Sequence, residues 1–167
     1  AGHLPQKPLV VAGDLQVLLK TAKQLRLDLI LTAAEEGRHQ ITLGGNSLIL
    51  QPLSQLNPER FIPGSPDADC GQAMVDYIDW AIDECLSGRA AAMVTCPINK
   101  AAINAAGCHF PGHTELLAER CNAERVVMML AGSRLRVTLV TIHTALANVP
   151  ELITTEGIQE TIHITAQ

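Results

Sequence analysis

The chain of 167 residues is acidic and poor in aromatic residues, which limits the functions open to it. Hydrophobic residues make up 47% and charged residues 17%, enough for the buried core of one domain or part of one. A net charge of −5 and an aromatic content of 2% argue against nucleic-acid binding, and that charge gives no general attraction to anionic lipid. Since no apolar run reaches the ~18 residues of a membrane span, we expect a cytoplasmic protein with neither nucleic acid nor membrane as partner.

The cysteines point to the same compartment. Their number is odd, none forms a C-x-x-C pair, and they are spread over positions 70, 85, 96, 108 and 121. This pattern predicts reduced thiols rather than a disulfide framework or a structural zinc site. Cys96 is interpreted as a small buried thiol.

The first half of the chain predicts short strands, one amphipathic helix and a long loop. Apolar runs predict strands at 8–12 and 27–31, and leucines at helical spacing predict a helix between them. Weak alternation at 40–43 and 47–50 predicts a hairpin around Gly44-Gly45. Four prolines within 51–69 mark a loop.

The second half alternates helices and strands, which predicts an α/β domain with a substantially parallel sheet and flanking helices. Helices are predicted at 69–86, 99–106, 115–120 and from 154 onward, a buried strand at 90–95, and further strands at 126–131 and 135–141. The last helix lacks a terminating signal and the first strand follows almost directly on Ala1, so we expect a fragment of a longer protein.

Gly112-His113-Thr114-Glu115 is the first candidate site, because it opens a predicted helix after Pro111. The free N–H groups and positive dipole end of a helix start suit a phosphate or carboxylate, to which His113 and Thr114 add an imidazole and a hydroxyl. The alternative is that Thr114 only caps the helix and His113 faces solvent. His109 lies four residues earlier, but Pro111 and Gly112 make a continuous metal-binding helix implausible.

Two further residues follow predicted strands, where open α/β sheets bind ligands. His143 could be a metal ligand or proton-transfer group, or a histidine satisfied by a backbone carbonyl. Lys100 suits an anionic substrate but could equally be a solvated surface lysine, and Asn99 could be a helix cap. Neither a G-x-G-x-x-G fingerprint nor a Walker-type phosphate loop occurs.

Four ordered motifs together closely resemble the 4-hydroxythreonine-4-phosphate dehydrogenase family. They are V-T-C-P-I-N-K-A-A-I-N-A-A-G at 94–107, F-P-G-H-T-E-L-L-A-E at 110–119, V-V-M-M-L-A-G at 126–132 and L-R-V-T-L-V-T-I-H at 135–143. The likeness extends upstream through P-L-V-V-A-G-D at 8–14, the loop around Pro63-Gly64 and the helix containing Tyr77-Ile78.

The resemblance implies an enzyme of vitamin B6 biosynthesis with an isocitrate- and isopropylmalate-dehydrogenase-like fold that works as a homodimer. Such enzymes oxidise 4-phosphooxy-L-threonine with NAD or NADP, and the β-keto acid formed loses carbon dioxide. They use a divalent metal (Zn, Mg or Co) held by three histidines. His113 and Thr114 match the family's substrate-binding pair, His143 matches its first metal-binding histidine, and Lys100 matches a motif lysine.

The sequence departs from the family pattern at both ends. The opening G-D-P-A-G-I-G and the later N-P-H-A-G-E and Y-H-D-Q-G motifs, which carry the other two metal histidines, do not occur. Thr144-Ala145 stands where Leu-Pro is common, and Cys96 where a small residue is usual. We therefore expect the isolated chain to be inactive, and two alternatives remain: a non-catalytic structural or interaction module derived from that family, and a phosphate-binding domain without redox chemistry.

Overall fold

The computed structural model describes residues 8–110 and 112–166, which belong to two compact units. The first unit runs to Cys121 and the second begins at Asn122. Both combine helices with a small sheet, so the predicted mixed α/β class is confirmed. No helix in the described ranges is long and apolar enough to span a membrane.

The first unit contains a four-stranded sheet in the order β1-β4-β3-β2. Its strands are β1 Val10–Gly13, β2 Leu29–Ala33, β3 His39–Leu43 and β4 Asn46–Pro52. The predicted hairpin is confirmed, with Gly44 and Gly45 as its two-residue turn at φ 55° and 80°. Positive φ at both central residues is the requirement of the tight turn that matches strand twist, and glycine meets it without strain.

The expectation of a substantially parallel sheet is wrong for the described residues. Only β1 and β4 pair in parallel, whereas β2–β3 and β3–β4 pair antiparallel. A hairpin can join only antiparallel strands, so the Gly44-Gly45 turn fixes that direction. The alternation of helices and strands predicted more parallel strand pairs than the sheet contains, because the hairpin turn forces its two strands to run antiparallel.

Four helices accompany the sheet: α1 Leu15–Gln24, α2 Ala68–Leu86, α3 Lys100–Ala105 and α4 His113–Arg120. The helices α1, α2 and α3 begin at side-chain caps, Asp14, Asp67 and Asn99, each accepting a backbone N–H at 3.0 Å. The cap role that the sequence allowed for Asn99 is thus confirmed. Such caps typically contribute about 1 kcal/mol each.

Helix α2 is the platform on which α3 and α4 pack. Ile78 and Ile82 of α2 are buried against Leu116 of α4. At the other contact, a Cβ on Gly71 would lie 2.0 Å from the carbonyl oxygen of Ala102. Only glycine permits this approach of the α2 and α3 backbones.

The segment 90–98 differs from its prediction. No strand forms there, and Val94 is 97% exposed although a buried strand was expected. Cys96 is exposed as well, so its interpretation as a buried thiol is wrong. Met93 and Ile98 nevertheless pack against the α2–α4 core, so one side of the segment is held in place.

The second unit is a two-stranded antiparallel hairpin followed by helices. Strands β5 Met128–Ala131 and β6 Arg136–Leu139 pair with each other, and both are shorter than predicted. Helix α5 Val149–Leu152 precedes α6 Thr155–Thr165, which packs against β6. Arg125 forms an ion pair with Glu160 and donates to the carbonyl of Gly157 at 3.3 Å, and these contacts join the start of the unit to α6.

Replacing Gly71 by alanine should destabilise the first unit by roughly 1–3 kcal/mol or more, because the new methyl group would displace the backbone of α3. The neighbouring Gln72→Ala is the matched control, since Gln72 is exposed and alanine favours a helix. Urea unfolding of both variants checks this. Equal midpoints for the two variants would show that α2 and α3 do not approach as closely as described.

Candidate functional site

The start of α4 presents the predicted His113-Thr114 pair. Gly112 occupies the N-cap position in an extended conformation and supplies no side-chain cap. The first N–H groups of α4 therefore donate no hydrogen bond to a cap side chain, and the positive end of the helix dipole lies at the same place. The arrangement suits a phosphate or carboxylate.

His113 carries one of two buried polar side-chain atoms that lack a hydrogen-bond partner among the described residues. Its Nε2 atom has less than 1 Å² of accessible surface, although the side chain as a whole is only half-buried. A buried nitrogen without a partner costs roughly 1–3 kcal/mol, so a ligand atom that bonded to it would recover that energy. Thr114, the second residue of α4, is also half-buried.

Helix α4 is fixed at two points along the face that carries His113. Leu116 is 4% exposed and packs on Ile78 and Ile82. Arg120 Nε lies 3.0 Å from Asp79 Oδ1 in an ion pair, and its guanidinium also lies 3.8 Å from Asp83. Positions 113, 116 and 120 share one helix face. This anchoring sets where the His113 side chain lies relative to α2.

Glu115 works against an anion at this helix start. Its Oε2 atom lies 3.3 Å from the place that a Cβ on Gly112 would occupy. A carboxylate there uses the same positive helix end that a phosphate would use. Binding of an anion would therefore require the Glu115 side chain to turn toward solvent.

Lys100 is the first residue of α3 and is exposed. No hydrogen bond or ion pair joins it to α4 within the described ranges, although α3 and α4 both pack on α2. A mobile ammonium group on an exposed stem can approach an anion without being fixed beforehand. Its substrate role stays a prediction.

His143 belongs to the second unit, four residues beyond the end of β6. It is exposed and has a left-handed backbone with φ 51°. Non-glycine residues in this conformation are uncommon and concentrate at functional sites. No group of three or more metal-binding side chains occurs in the part of the chain that the structure describes, so His143 alone does not make a metal site.

A polar cluster that the sequence analysis missed joins β1, the proline-rich loop and α2. Asp14 is 5% exposed, and its Oδ2 accepts from the Ser54 hydroxyl and the Leu56 N–H, both at 2.7 Å. Ser54 also bonds the Tyr77 hydroxyl of α2. A helix cap at Asp14 can be predicted from the local sequence. Its hydrogen bonds to Ser54 and Leu56 cannot, because these residues lie 40 and 42 positions further along the chain.

Burial and hydrogen bonds act in opposite directions on this cluster. Burial raises the pKa of Asp14, but the hydrogen bonds from Leu56, Val17 and Ser54 outweigh it and leave the pKa below its ordinary value of 3.8. Burial raises the pKa of Tyr77, and the nearby Asp14 charge adds to this. Asp14 is thus ionised and Tyr77 is a neutral hydroxyl at neutral pH.

Lys20 anchors the same loop from α1. Its ammonium group donates to the carbonyls of Pro58 and Phe61 at 2.5 and 2.8 Å. Together with Asp14, this lysine holds residues 54–61 against the start and middle of α1. The long loop is therefore a fixed part of the first unit.

Two other features do not suit catalysis or a phosphorylated ligand. Burial raises the pKa of the Cys70 and Cys108 thiols, which makes them poor nucleophiles. A cavity of about 340 Å³ is lined mainly by apolar side chains of α1 and the sheet, among them Leu18, Leu29 and Ile41. The helix start of α4 therefore remains the candidate site.

A mixed α/β unit with a helix start that has no side-chain cap is a common feature of proteins that bind small phosphorylated molecules. The comparison with known families makes this specific: the family model described as pyridoxal phosphate biosynthetic protein PdxA matches residues 5–167. The chain belongs to this family.

Curated relatives and solved structures agree with this family membership. The chain is 44% identical over 160 residues to a 4-hydroxythreonine-4-phosphate dehydrogenase of Trichlorobacter lovleyi, covering 96% of this chain and 47% of that protein. It is 57% identical over 118 residues to the enzyme of that name from Geobacter metallireducens, covering 71% of this chain and 35% of the relative. A crystal structure of a 4-hydroxythreonine-4-phosphate dehydrogenase from Burkholderia phymatum superposes with a TM-score of 0.77 at 30% identity, covering 93% of this chain and 46% of that one.

These comparisons also show what share of a relative's length this chain covers. The chain spans about half the length of the curated relatives it matches, 47% in the case of Trichlorobacter lovleyi. The expected resemblance to the family and the partial coverage are both confirmed. The more specific dehydrogenase-like fold name stays a prediction.

Replacing Asp14 by asparagine should destabilise the first unit by roughly 1–2 kcal/mol at neutral pH, because the amide nitrogen that replaces Oδ2 cannot accept the hydrogen bonds from Ser54 and Leu56. Since the folded pKa of Asp14 is depressed, the stabilisation by its carboxylate is present above its ordinary value of 3.8 and is lost as the pH falls below it. Thermal unfolding at neutral and acidic pH should show the gap to wild type narrowing in acid. The exposed Asp28→Asn is the control, and a gap that widened in acid would contradict this account.

Proposed function

We propose that this chain contributes part of the active site of an NAD- or NADP-dependent 4-hydroxythreonine-4-phosphate dehydrogenase in pyridoxal phosphate biosynthesis. The reaction oxidises the hydroxyl of 4-phosphooxy-L-threonine, after which the β-keto acid loses carbon dioxide. The family match over residues 5–167 supports the assignment, as does the 44% identity to a relative of that name. The observation that carries it in the structure is the His113-Thr114 pair at the uncapped start of α4.

In this proposal, His113 and Thr114 bind the substrate. The N–H groups at the start of α4 and the Thr114 hydroxyl bond an anionic group of the phosphorylated hydroxy amino acid, and the buried Nε2 of His113 gains a partner. Lys100 supplies a positive charge from the start of α3. These groups orient the substrate so that its hydroxyl is held in one position.

The metal and cofactor assignments rest on the family alone. In the proposal, His143 is one ligand of a divalent Zn, Mg or Co ion, which in such enzymes polarises the reacting oxygen, and NAD or NADP accepts the hydride. Among the described residues, His143 does not belong to any group of three metal-binding side chains, so the residues present do not fit a complete metal site. The proposed enzyme is cytoplasmic and works as a homodimer.

A second candidate is phosphate-ester binding without redox chemistry. The uncapped α4 start supports it as much as it supports the dehydrogenase, and the described residues contain no three-ligand metal cluster. A non-catalytic module derived from the family is the third. Binding of the phosphate ester would distinguish the first two candidates from the third, and turnover would distinguish the dehydrogenase from the other two.

Substituting His113 by alanine should weaken binding of 4-phosphooxy-L-threonine by roughly 10-fold or more, because a hydrogen bond to a charged group contributes about 1.5–3 kcal/mol. Calorimetric titration of wild type and variant with this ester measures the effect. His109→Ala is the matched control, since His109 is exposed and lies before the helix. Equal affinity of the wild type and the His113 variant would remove His113 from the site.

The 167-residue chain alone, supplied with NAD or NADP and with zinc, magnesium or cobalt, should not turn over 4-phosphooxy-L-threonine. One histidine of the family's three cannot hold the metal tightly. Spectrophotometric detection of cofactor reduction is the measurement, with a full-length relative as positive control. Turnover by the purified chain would refute the expected inactivity, and binding without turnover agrees with both the dehydrogenase and the phosphate-binding candidates.

A further inference from the structure

The start of α4 carries an acidic side chain that the binding of an anion leaves unused. Glu115 is the third residue of α4 and is exposed. Its side chain nevertheless turns back toward the beginning of the helix, because Oε2 lies 3.3 Å from the place that a Cβ on Gly112 would occupy. A carboxylate in this position interacts favourably with the positive end of the helix dipole. A ligand that brings only negative charge therefore competes with Glu115.

The charge of Glu115 has no cationic partner within the described ranges. None of the ion pairs there includes it. Arg120, the basic residue in the last turn of α4, is paired instead with Asp79 and Asp83 of α2. The net charge of −5 also gives the chain no overall positive field that would neutralise the carboxylate. An unpaired negative charge thus lies beside a set of hydrogen-bond donors.

These two kinds of group lie within one helical turn and suit opposite charges on a single ligand. The N–H groups at the start of α4, with His113 and Thr114, suit an anionic group, and Glu115 suits a cationic one. An α-amino acid carries a carboxylate and a positively charged amino group on the same carbon. In 4-phosphooxy-L-threonine the phosphate is separated from that carbon by two further carbons. The combination at α4 therefore fits the amino-acid end of this substrate better than its phosphate end.

We propose that Glu115 pairs with the α-ammonium group of the substrate while the α-carboxylate bonds the N–H groups at the start of α4. This inference rests on the proposed function and adds which end of the substrate α4 binds and which residue selects it. A ligand without an ammonium group displaces Glu115 from the helix dipole and returns nothing. A ligand with one offsets that loss by an ion pair. Glu115 is therefore a specificity-determining residue that favours an amino acid over the same acid without its amino group.

The test is a calorimetric titration of wild type and Glu115→Gln with two esters. One is 4-phosphooxy-L-threonine, and the other is 3-hydroxy-4-phosphooxybutanoate, which has hydrogen in place of the amino group. Glu115→Gln should weaken binding of the amino acid by roughly 2- to 5-fold, the size of an exposed ion pair. It should strengthen binding of the other ester by a similar factor of roughly 2 to 5, because the competing charge at the helix dipole is removed. The ratio of the two dissociation constants should thus change by roughly 4- to 25-fold.

Glu119→Gln is the matched control, because Glu119 is an exposed residue of the same helix, one turn further from its start. The control removes the same charge from the chain and should leave the ratio of the two dissociation constants unchanged. Glutamine at position 115 has nearly the shape of glutamate and also serves at the third position of a helix, so equal urea midpoints of both variants are expected. A shift of the ratio by Glu119→Gln as large as that by Glu115→Gln would overturn the proposal.

The outcomes separate this inference from the proposed function. If Glu115→Gln moved both affinities in the same direction, its role would be structural only, and the inference would fail while the site stood. The same holds if the wild type bound the two esters equally tightly. If neither ester bound, the substrate site at α4 and this inference would both be refuted. Titration needs no turnover, so opposite shifts of the two affinities in a protein without redox activity would count against the dehydrogenase and leave this inference standing.

Discussion

The packing of α3 and α4 on α2 is the constraint on which the candidate site depends. Gly71 allows the α3 backbone to approach α2, while Ile78 and Ile82 bury Leu116 of α4. Neither short helix would be stable alone, because isolated helices of fewer than about 12 residues are marginal in water. The positions of Lys100 and His113 are therefore consequences of the α2 surface.

The sequence predicted those elements whose information is local. The hairpin depended on two adjacent glycines, and the α3 start depended on the Asn99 cap, so both were readable from a few residues. Strand direction and the Asp14–Ser54–Tyr77 cluster depended on residues far apart in the chain. His113-Thr114 was predicted as a site pair because helix starts have a local signature, whereas the burial of His113 Nε2 depends on tertiary packing.

The wrong prediction at residues 90–95 has a physical cause. An apolar run predicts burial, but burial requires something to cover it, and Val94 has no such covering in the described chain. His143, which is exposed and has a left-handed backbone, likewise lacks partners among the described residues, because a catalytic metal site needs about three protein ligands. Both observations agree with a chain that spans about half the length of its relatives.

The central claim is that the start of α4 is part of a substrate site. It is tested most directly by steady-state kinetics of a chimera in which this chain replaces the matched 160-residue part of the Trichlorobacter lovleyi relative. The account predicts reduction of NAD or NADP with 4-phosphooxy-L-threonine, and a fall in kcat/KM of at least about 10-fold on His113→Ala, the loss expected for one hydrogen bond to a charged group. A folded chimera without turnover, or one whose kinetics ignore His113→Ala, would contradict the claim.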